Sequence, residues 1–375
     1  MPDLNFGKDN VILTPQNLAH YLIERGMVTR ESVVSGSLEI VEISRRNRNF
    51  KVTERNGQGY FVKQVRQWDA EATRTLQTEA ECYRLATRDA ALEGIAAIVP
   101  RFCLFDPRSS VLITELLDGA QTIAEHHFRS DDFPIAVAEQ LGQAFGTYHR
   151  SAMANPRAGQ NGLFLRRTPL ALSMCEMPSQ AAAHFSAGIH QMLGMLRQFP
   201  QFGQALETLR SNWSCESLIH GDIKWENCVL CPGSNGHLRL KIVDWELADW
   251  GDPCWDVAGI MSAYLLFWVQ SLPLNSLAAP GAMVERARYP IERMQPAIRS
   301  FWSHYADCRQ VSAQAARELL RRIMLYTGAR IIQTAFEMLQ TAPTANPVTV
   351  LLLQLSMNVL EKPEEAIREL LGIEP

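Results

Sequence analysis

Two short stretches hold residues whose types and spacing could do chemistry. Leu218-Ile219-His220-Gly221-Asp222-Ile223-Lys224-Trp225-Glu226-Asn227-Cys228-Val229-Leu230 is followed by Lys241-Ile242-Val243-Asp244-Trp245-Glu246. They set an Asp, an Asn and a second Asp in the order that phosphoryl transfer needs. One carboxylate must face an attacking hydroxyl, while an amide oxygen and another carboxylate hold magnesium on nucleotide phosphates. Asp222 is the candidate general base, because a hydroxyl is a weak nucleophile and a carboxylate that takes its proton is worth roughly 100- to 10,000-fold in rate. Asn227 and Asp244 are the candidate metal ligands, since magnesium takes oxygen donors and draws only a few of them from protein. Lys63, in Tyr60-Phe61-Val62-Lys63-Gln64-Val65, is the candidate phosphate-binding ammonium. Glu79 is its expected acidic partner; Glu81 is the alternative, and helix phase alone does not choose.

The elements that must position these residues can be read from periodicity and punctuation. Thr14-Pro15 opens a helix with a hydroxyl cap and a proline at the first turn, and Gly26 stops it. Strands are expected over Leu38–Ile43, Phe50–Thr53 and Gly59–Val65, with Asn56-Gly57 marking a hairpin. A helix over Ala70–Arg88 follows, then strands over Arg101–Phe105 and Ser110–Glu115. From about Gln121 the pattern turns helical: Ile135–Ala154, Pro178–Phe199, Tyr289–Tyr305, Ser312–Gln340 and Val348–Leu371, interrupted by short strands around Gly221–Asp244. The expected organisation is an α+β chain with residues 1–118 as a small sheet-containing nucleotide-binding lobe with a leading helix. Residues 119–375 form a larger, mainly helical catalytic and substrate-binding lobe, with Asp118-Gly119 at the boundary.

Composition narrows the class. The 375 residues are 47% hydrophobic, enough for a substantial core, and the net charge of -4 offers no basic face for nucleic acid. The apolar runs Val257–Val269 and Val348–Leu353 are too short to cross a bilayer and read as buried helices. The first residues carry neither a basic nor an apolar signal region, so the eight cysteines are expected to be reduced thiols in a cytoplasmic protein. Cys228-Val229-Leu230-Cys231 has metal-site spacing but lacks a second pair, and core packing is the expectation.

The motifs resemble the aminoglycoside phosphotransferase and choline kinase-like branch of the protein-kinase-like fold. The carrying residues are His220-Gly221-Asp222 with Asn227, Val243-Asp244-Trp245-Glu246, and Gly251-Asp252-Pro253 with Asp256-Val257-Ala258. Leu112 to Gly119 and Leu141-Gly142 with Phe145-Gly146 and His149 add support. The resemblance implies a bilobal fold and ATP- and Mg2+-dependent transfer to an alcohol. It implies that Asp222 is the base, that Asn227 and Asp244 hold the metal, and that Lys63 binds phosphates beside Glu79. It makes Glu115 to Leu117 a hinge for adenine, and Asp256 a tie on the catalytic loop, for which helix capping is the plainer reading. Where the family often has a glycine-containing nucleotide loop, this chain has Ser44-Arg45-Arg46-Asn47-Arg48-Asn49-Phe50. Ser44, Asn47 or an Arg side chain is expected to supply phosphate contacts there, against a solvated basic turn. Lys224 stands two residues after the base, as in Ser/Thr protein kinases, where this lysine contacts the transferred phosphate.

The acceptor is the least determined feature. Glu285, Glu292, Asp307, Glu318 and Glu337 are matched by Arg286, Arg288, Arg293, Arg299, Arg317, Arg321, Arg322 and Arg330. That balance argues against the acidic pocket a polycation needs. The 44–50 turn, His220–Trp225 and Gly328–Glu337 are similar to phosphotransferases encoded with thioamitide and class V lanthipeptide precursors. That likeness implies Ser/Thr phosphorylation of a precursor peptide and a partner lyase. A small-molecule kinase acting on an amino alcohol or sugar is the alternative, and a silent ATP-binding scaffold is a third reading.

Overall fold

The computed structural model describes residues 11–44, 46–55, 59–88, 92–155, 162–178, 184–233, 236–274 and 280–374. Contacts divide the chain into two units. The first contains residues up to Thr122 together with 157–164 and Cys228–Ala248, and the second contains Ile123–Pro156, Leu165–Asn227 and Asp249 onward.

The first unit is built on an antiparallel sheet of β1 (Leu38–Glu42), β2 (Arg48–Glu54), β3 (Gly59–Gln64), β4 (Phe102–Asp106) and β5 (Val111–Glu115). Their order is β1-β2-β3-β5-β4. Val62 pairs with Phe50 on one side and Ile113 on the other, so the apolar faces of the three strands stack in one layer. The leading helix Pro15–Glu24 covers that layer with Leu18, Tyr21 and Leu22. Its start is a reciprocal capping box, with Thr14 and Asn17 each satisfying the other's backbone amide. Gly26, at φ +66, turns the chain away. The expected Asn56-Gly57 turn lies outside the described residues, though the strands on either side pair in register from Thr53↔Gly59. The helix Ala70–Arg88 forms over the expected span. A second sheet joins β6 (Gln121–Thr122), β8 (Cys228–Pro232) and β9 (Leu238–Ile242). β9 is anchored by Ile242 N–H donating to Ile98 O at 2.6 Å and by Lys241 Nζ donating to Ala97 O and Val99 O. Cys228 and Cys231 are buried thiols in β8.

The second unit is helical, with a two-stranded ribbon of β7 (Ser217–Ile219) and β10 (Asp249–Gly251). The helix Pro253–Gln270 is buried almost all round, which explains its unbroken apolar run. No helix among the described residues is long and apolar enough to cross a membrane. Helix Ile135–Ala154 packs on Ile291–Arg309 with Gly142 and Gly146 against the backbone of Phe301 and Tyr305. A methyl group at either glycine would collide with main chain, so the helix pair depends on both.

Three sequence expectations need correction. The span Val348–Leu371 is not one helix. Pro347–Glu361 ends before Pro363, whose ring cannot continue the hydrogen-bond ladder, and a short turn and a π-helical turn follow. Of the helix expected over Pro178–Phe199, residues 179–183 lie outside the described residues, and the described helix begins at Ala187, capped by Ser186. It stops at Phe199, and Pro200–Ser211 is a separate helix with proline at its first position. Ile123–Ser130 is a further helix that the periodicity did not reveal.

Candidate active site

In the first unit, Lys63 projects from β3 and Glu79 from the Ala70–Arg88 helix. Lys63 Nζ lies 2.7 Å from Glu79 Oε2, 2.6 Å from Asp244 Oδ1 and 3.3 Å from Glu246 Oε2. Glu81 instead lies beside Arg84, at 3.8 Å. Burial opposes the charge of Lys63, but the three carboxylates outweigh it and raise its pKa, so it stays an ammonium. Glu79 is fixed from its other oxygen by Tyr83 Oη at 3.1 Å. Asp244 follows β9 in the left-handed region, at φ 67 and ψ 52, a conformation Asp tolerates better than most residues. That turn leaves its side chain 40% exposed, whereas that of Lys63 is 8% exposed. The carboxylates of Glu79, Asp244 and Glu246 place one oxygen each within 4.8 Å of the others, a hard-oxygen set suited to a divalent cation.

The turn before β2 is closed by its own side chains. Ser44 Oγ donates to Glu42 Oε1 at 2.6 Å and accepts from Asn49 N at 3.2 Å, which closes its own turn. Asn47 is half-buried on the same turn, and Arg46 reaches Glu246 Oε1 at 3.0 Å. Arg45 lies outside the described residues. Glu115 ends β5, its carboxylate accepting from Arg101 N at 2.9 Å. Its amide donates to Arg101 O and that of Leu116 to Gly59 O, while Leu117 O accepts from Ala120 N.

In the second unit, the loop after β7 is held from several sides. Asp256, fully buried in the first turn of Pro253–Gln270, accepts from His220 N at 2.7 Å, Gly221 N at 3.0 Å and Tyr148 Oη at 2.8 Å. Its burial raises its pKa, but His149, His220 and these hydrogen bonds outweigh that and hold it below the ordinary carboxylate range. The helix cap is Asp252 rather than Asp256: its carboxylate accepts from Cys254 N at 3.0 Å. Gly221 sits at φ +82, which an L side chain rarely adopts. The next residue, Asp222, has its own carbonyl held by Asn227 Nδ2 at 2.9 Å. That bond leaves the Asn227 amide oxygen without a hydrogen-bond donor among the described residues, as a metal ligand requires. Lys224 Nζ pairs with Asp222 Oδ2 at 2.7 Å.

Sequence reasoning overlooked two neighbours as site residues. Glu246 was visible only as the last residue of Asp244-Trp245-Glu246. Arg330 stands in the sequence only among the arginines that balance the acids and in the Gly328–Glu337 motif, yet it is 4% exposed and lies 3.9 Å from Asp222 Oδ1. A cavity of about 200 Å³ adjoins this loop. Lys224, Trp225, Phe267, Arg330, Thr334 and Glu337 are among its walls.

A family model described as "Phosphotransferase enzyme family" matches residues 37–289. The chain belongs to that family. Acyl-CoA dehydrogenase family member 11 of Homo sapiens is 26% identical over 225 residues, 60% of this chain but 27% of that protein. The chain thus spans about a quarter of this curated relative's length. Choline kinase from Cryptosporidium parvum superposes with a TM-score of 0.55 at 14% identity, over 94% of this chain and 97% of that one. The amicoumacin kinase hAmiN, in complex with AMP-PNP, Ca2+ and Ami, gives 0.52 at 12% identity, over 91% and 96%. At such identities the likeness is one of fold, and the chain has the kinase-like fold that the motifs implied.

Proposed function

We propose that the protein is an ATP- and Mg2+-dependent kinase in which Asp222 receives the proton of the acceptor hydroxyl. The carrying observation is the retention of a complete donor set in ordered geometry: Lys63 on Glu79 and Asp244, and Asp222 on Asn227 and Lys224. A silent nucleotide-binding scaffold would have no reason to keep all of these groups. Mg2+, when bound with the nucleotide, neutralises charge on the phosphates. Asp244 and Asn227 would hold it, and Glu246 joins the same cluster of oxygens. Lys63 would bind the α and β phosphates, and the Leu117 backbone would meet adenine. Lys224, 39% exposed beside Asp222, would accompany the transferred phosphoryl group. The phosphoryl–oxygen bond to ADP breaks as the acceptor oxygen bonds to phosphorus, and the acceptor proton passes to Asp222. Ser44 and Asn47 would contribute through the turn that Ser44 closes.

The acceptor we favour is Ser or Thr of a ribosomally made peptide, with a partner lyase to eliminate the phosphate. What supports a non-polycationic acceptor is the mixed charge of the cavity, where Lys224 and Arg330 stand with Glu226 and Glu337. An amino alcohol or sugar is the second reading, supported by the fold shared with choline kinase. Intact-mass spectrometry after incubation with Mg-ATP tests both. A phosphate-sized gain on Ser/Thr-rich peptides encoded nearby supports the first, and a gain on an aminoglycoside overturns the charge argument. Asp222→Asn should remove transfer by at least about 100-fold while nucleotide binding persists; equal loss of both would make Asp222 structural.

A further inference from the structure

Asp222 sits in a loop whose backbone is gripped on both sides. Its amides at His220 and Gly221 donate to Asp256, as described above. Its carbonyls face a different element, the helix Ala313–Met338. From that helix Arg330 donates through Nη1 to Gly221 O at 3.4 Å and through Nη2 to Ile223 O. These carbonyls flank Asp222 in sequence. Trp255 Nε1 donates to the same Gly221 O at 3.0 Å, and the Arg330 guanidinium lies 5.2 Å from the centre of the Trp255 ring. Arg330 is 4% exposed, and Asp222 is the one carboxylate within 4 Å of it among the described residues. A buried guanidinium without a close bidentate acid is costly unless its protons are used on something worth holding. Here they hold the two peptide groups that aim Asp222. The residue lies beyond 37–289, the span matched by the family.

We propose that Arg330 is a positioning residue for Asp222. It fixes the Gly221 and Ile223 carbonyls so that the Asp222 carboxylate keeps the direction needed to receive a proton. This inference rests on the phosphotransferase reading above. A planar fork reaches both carbonyls at once; a lysine ammonium at the same place reaches one, and alanine reaches neither.

The test measures ADP formation from Mg-ATP with the acceptor panel of the preceding subsection, for the wild-type chain, Arg330→Lys and Arg330→Ala. Misplacing a reacting group by about 1 Å costs on the order of 100-fold, so Arg330→Ala should lose about that much in kcat. Its KM for ATP should stay within about twofold, because the nucleotide-binding Lys63 is untouched. Added guanidinium chloride at millimolar concentration, against sodium chloride at equal ionic strength, should recover about tenfold or more of the lost rate in Arg330→Ala. Arg330→Lys should fall between, and hydrogen exchange over 218–227 should quicken in both variants. If Arg330→Ala does not fold, Arg330→Lys carries the same kcat and exchange comparison. A variant that folds and turns over at the wild-type rate overturns the inference. So does a loss that tracks falling thermal stability and gains nothing from guanidinium. A wild-type chain that is inactive on every acceptor overturns the phosphotransferase reading instead, and the inference with it.

Discussion

At the residue scale, the decisive feature is a buried lysine surrounded by three acids. Lys63 and Glu79 are both almost wholly buried, and each offsets part of the cost of burying the other. Removing one charge therefore strands its partner. Lys63→Met should destabilise the protein by about 3–5 kcal/mol, measured by urea unfolding. The double variant Lys63→Met, Glu79→Gln should recover a large part of that loss, giving a coupling energy above about 1 kcal/mol. Additive losses would mean that Glu79 draws its stability elsewhere, from Tyr83 for example. Activity should stay lost in both variants, since the ammonium is gone in each.

At the element scale, the helix Pro253–Gln270 governs how the Asp222 loop is held. It supplies Asp256 and Trp255 to that loop, and it also lets the loop come close through Gly259. A Cβ at Gly259 would stand 2.5 Å from Ile223 O and 3.0 Å from Ile223 Cβ. Main chain cannot yield as a flexible side chain can, so Gly259→Ala must push the loop away. We expect a stability loss of about 1–3 kcal/mol from overpacking. A fall in kcat of at least about tenfold should exceed any change in nucleotide KM. Thermal melts and steady-state kinetics check the two parts, and full activity in Gly259→Ala would show that the helix does not set the loop position. The sequence showed this helix as an apolar run but could not reveal the glycine's role, because the approaching carbonyl is distant in the chain.

At the scale of the whole molecule, stability should depend on pH through histidines buried without charge. His127 is 1% exposed, donates from Nδ1 to Asp132 O at 2.8 Å and packs on Trp225 and Phe133. Burial pushes its pKa down to about 4. The unfolded chain therefore binds a proton that the folded chain refuses between about pH 6.5 and 4. Stability from this group is present above pH 6.5 and is lost as the pH falls to about 4, by about 3 kcal/mol in all. His149, also depressed by burial, acts in the same direction. Chemical denaturation across that range should show stability rising with pH in the wild type and rising less steeply in His127→Gln. Equal slopes would place the titration elsewhere.

The sequence alone determined the five strands of the first sheet, the capped leading helix, the helix Ala70–Arg88, and the acids, amide and lysine proposed for the candidate site. These follow from local causes: alternation, capping, turn residues and short motifs with a set order. It could not choose between Glu79 and Glu81, because both fit the helix and only the packing of that helix on the sheet brings Glu79 to 2.7 Å from the ammonium. It could not see that Cys228–Ala248 packs with the first unit, since the bonds from β9 to residues 97–99 cross more than a hundred positions. Nor could it recruit Arg330, which looks like any charged residue on a helix until folding buries it against Gly221, Ile223 and Asp222. Those choices rest on which surfaces exclude water together, and only the tertiary structure decides that.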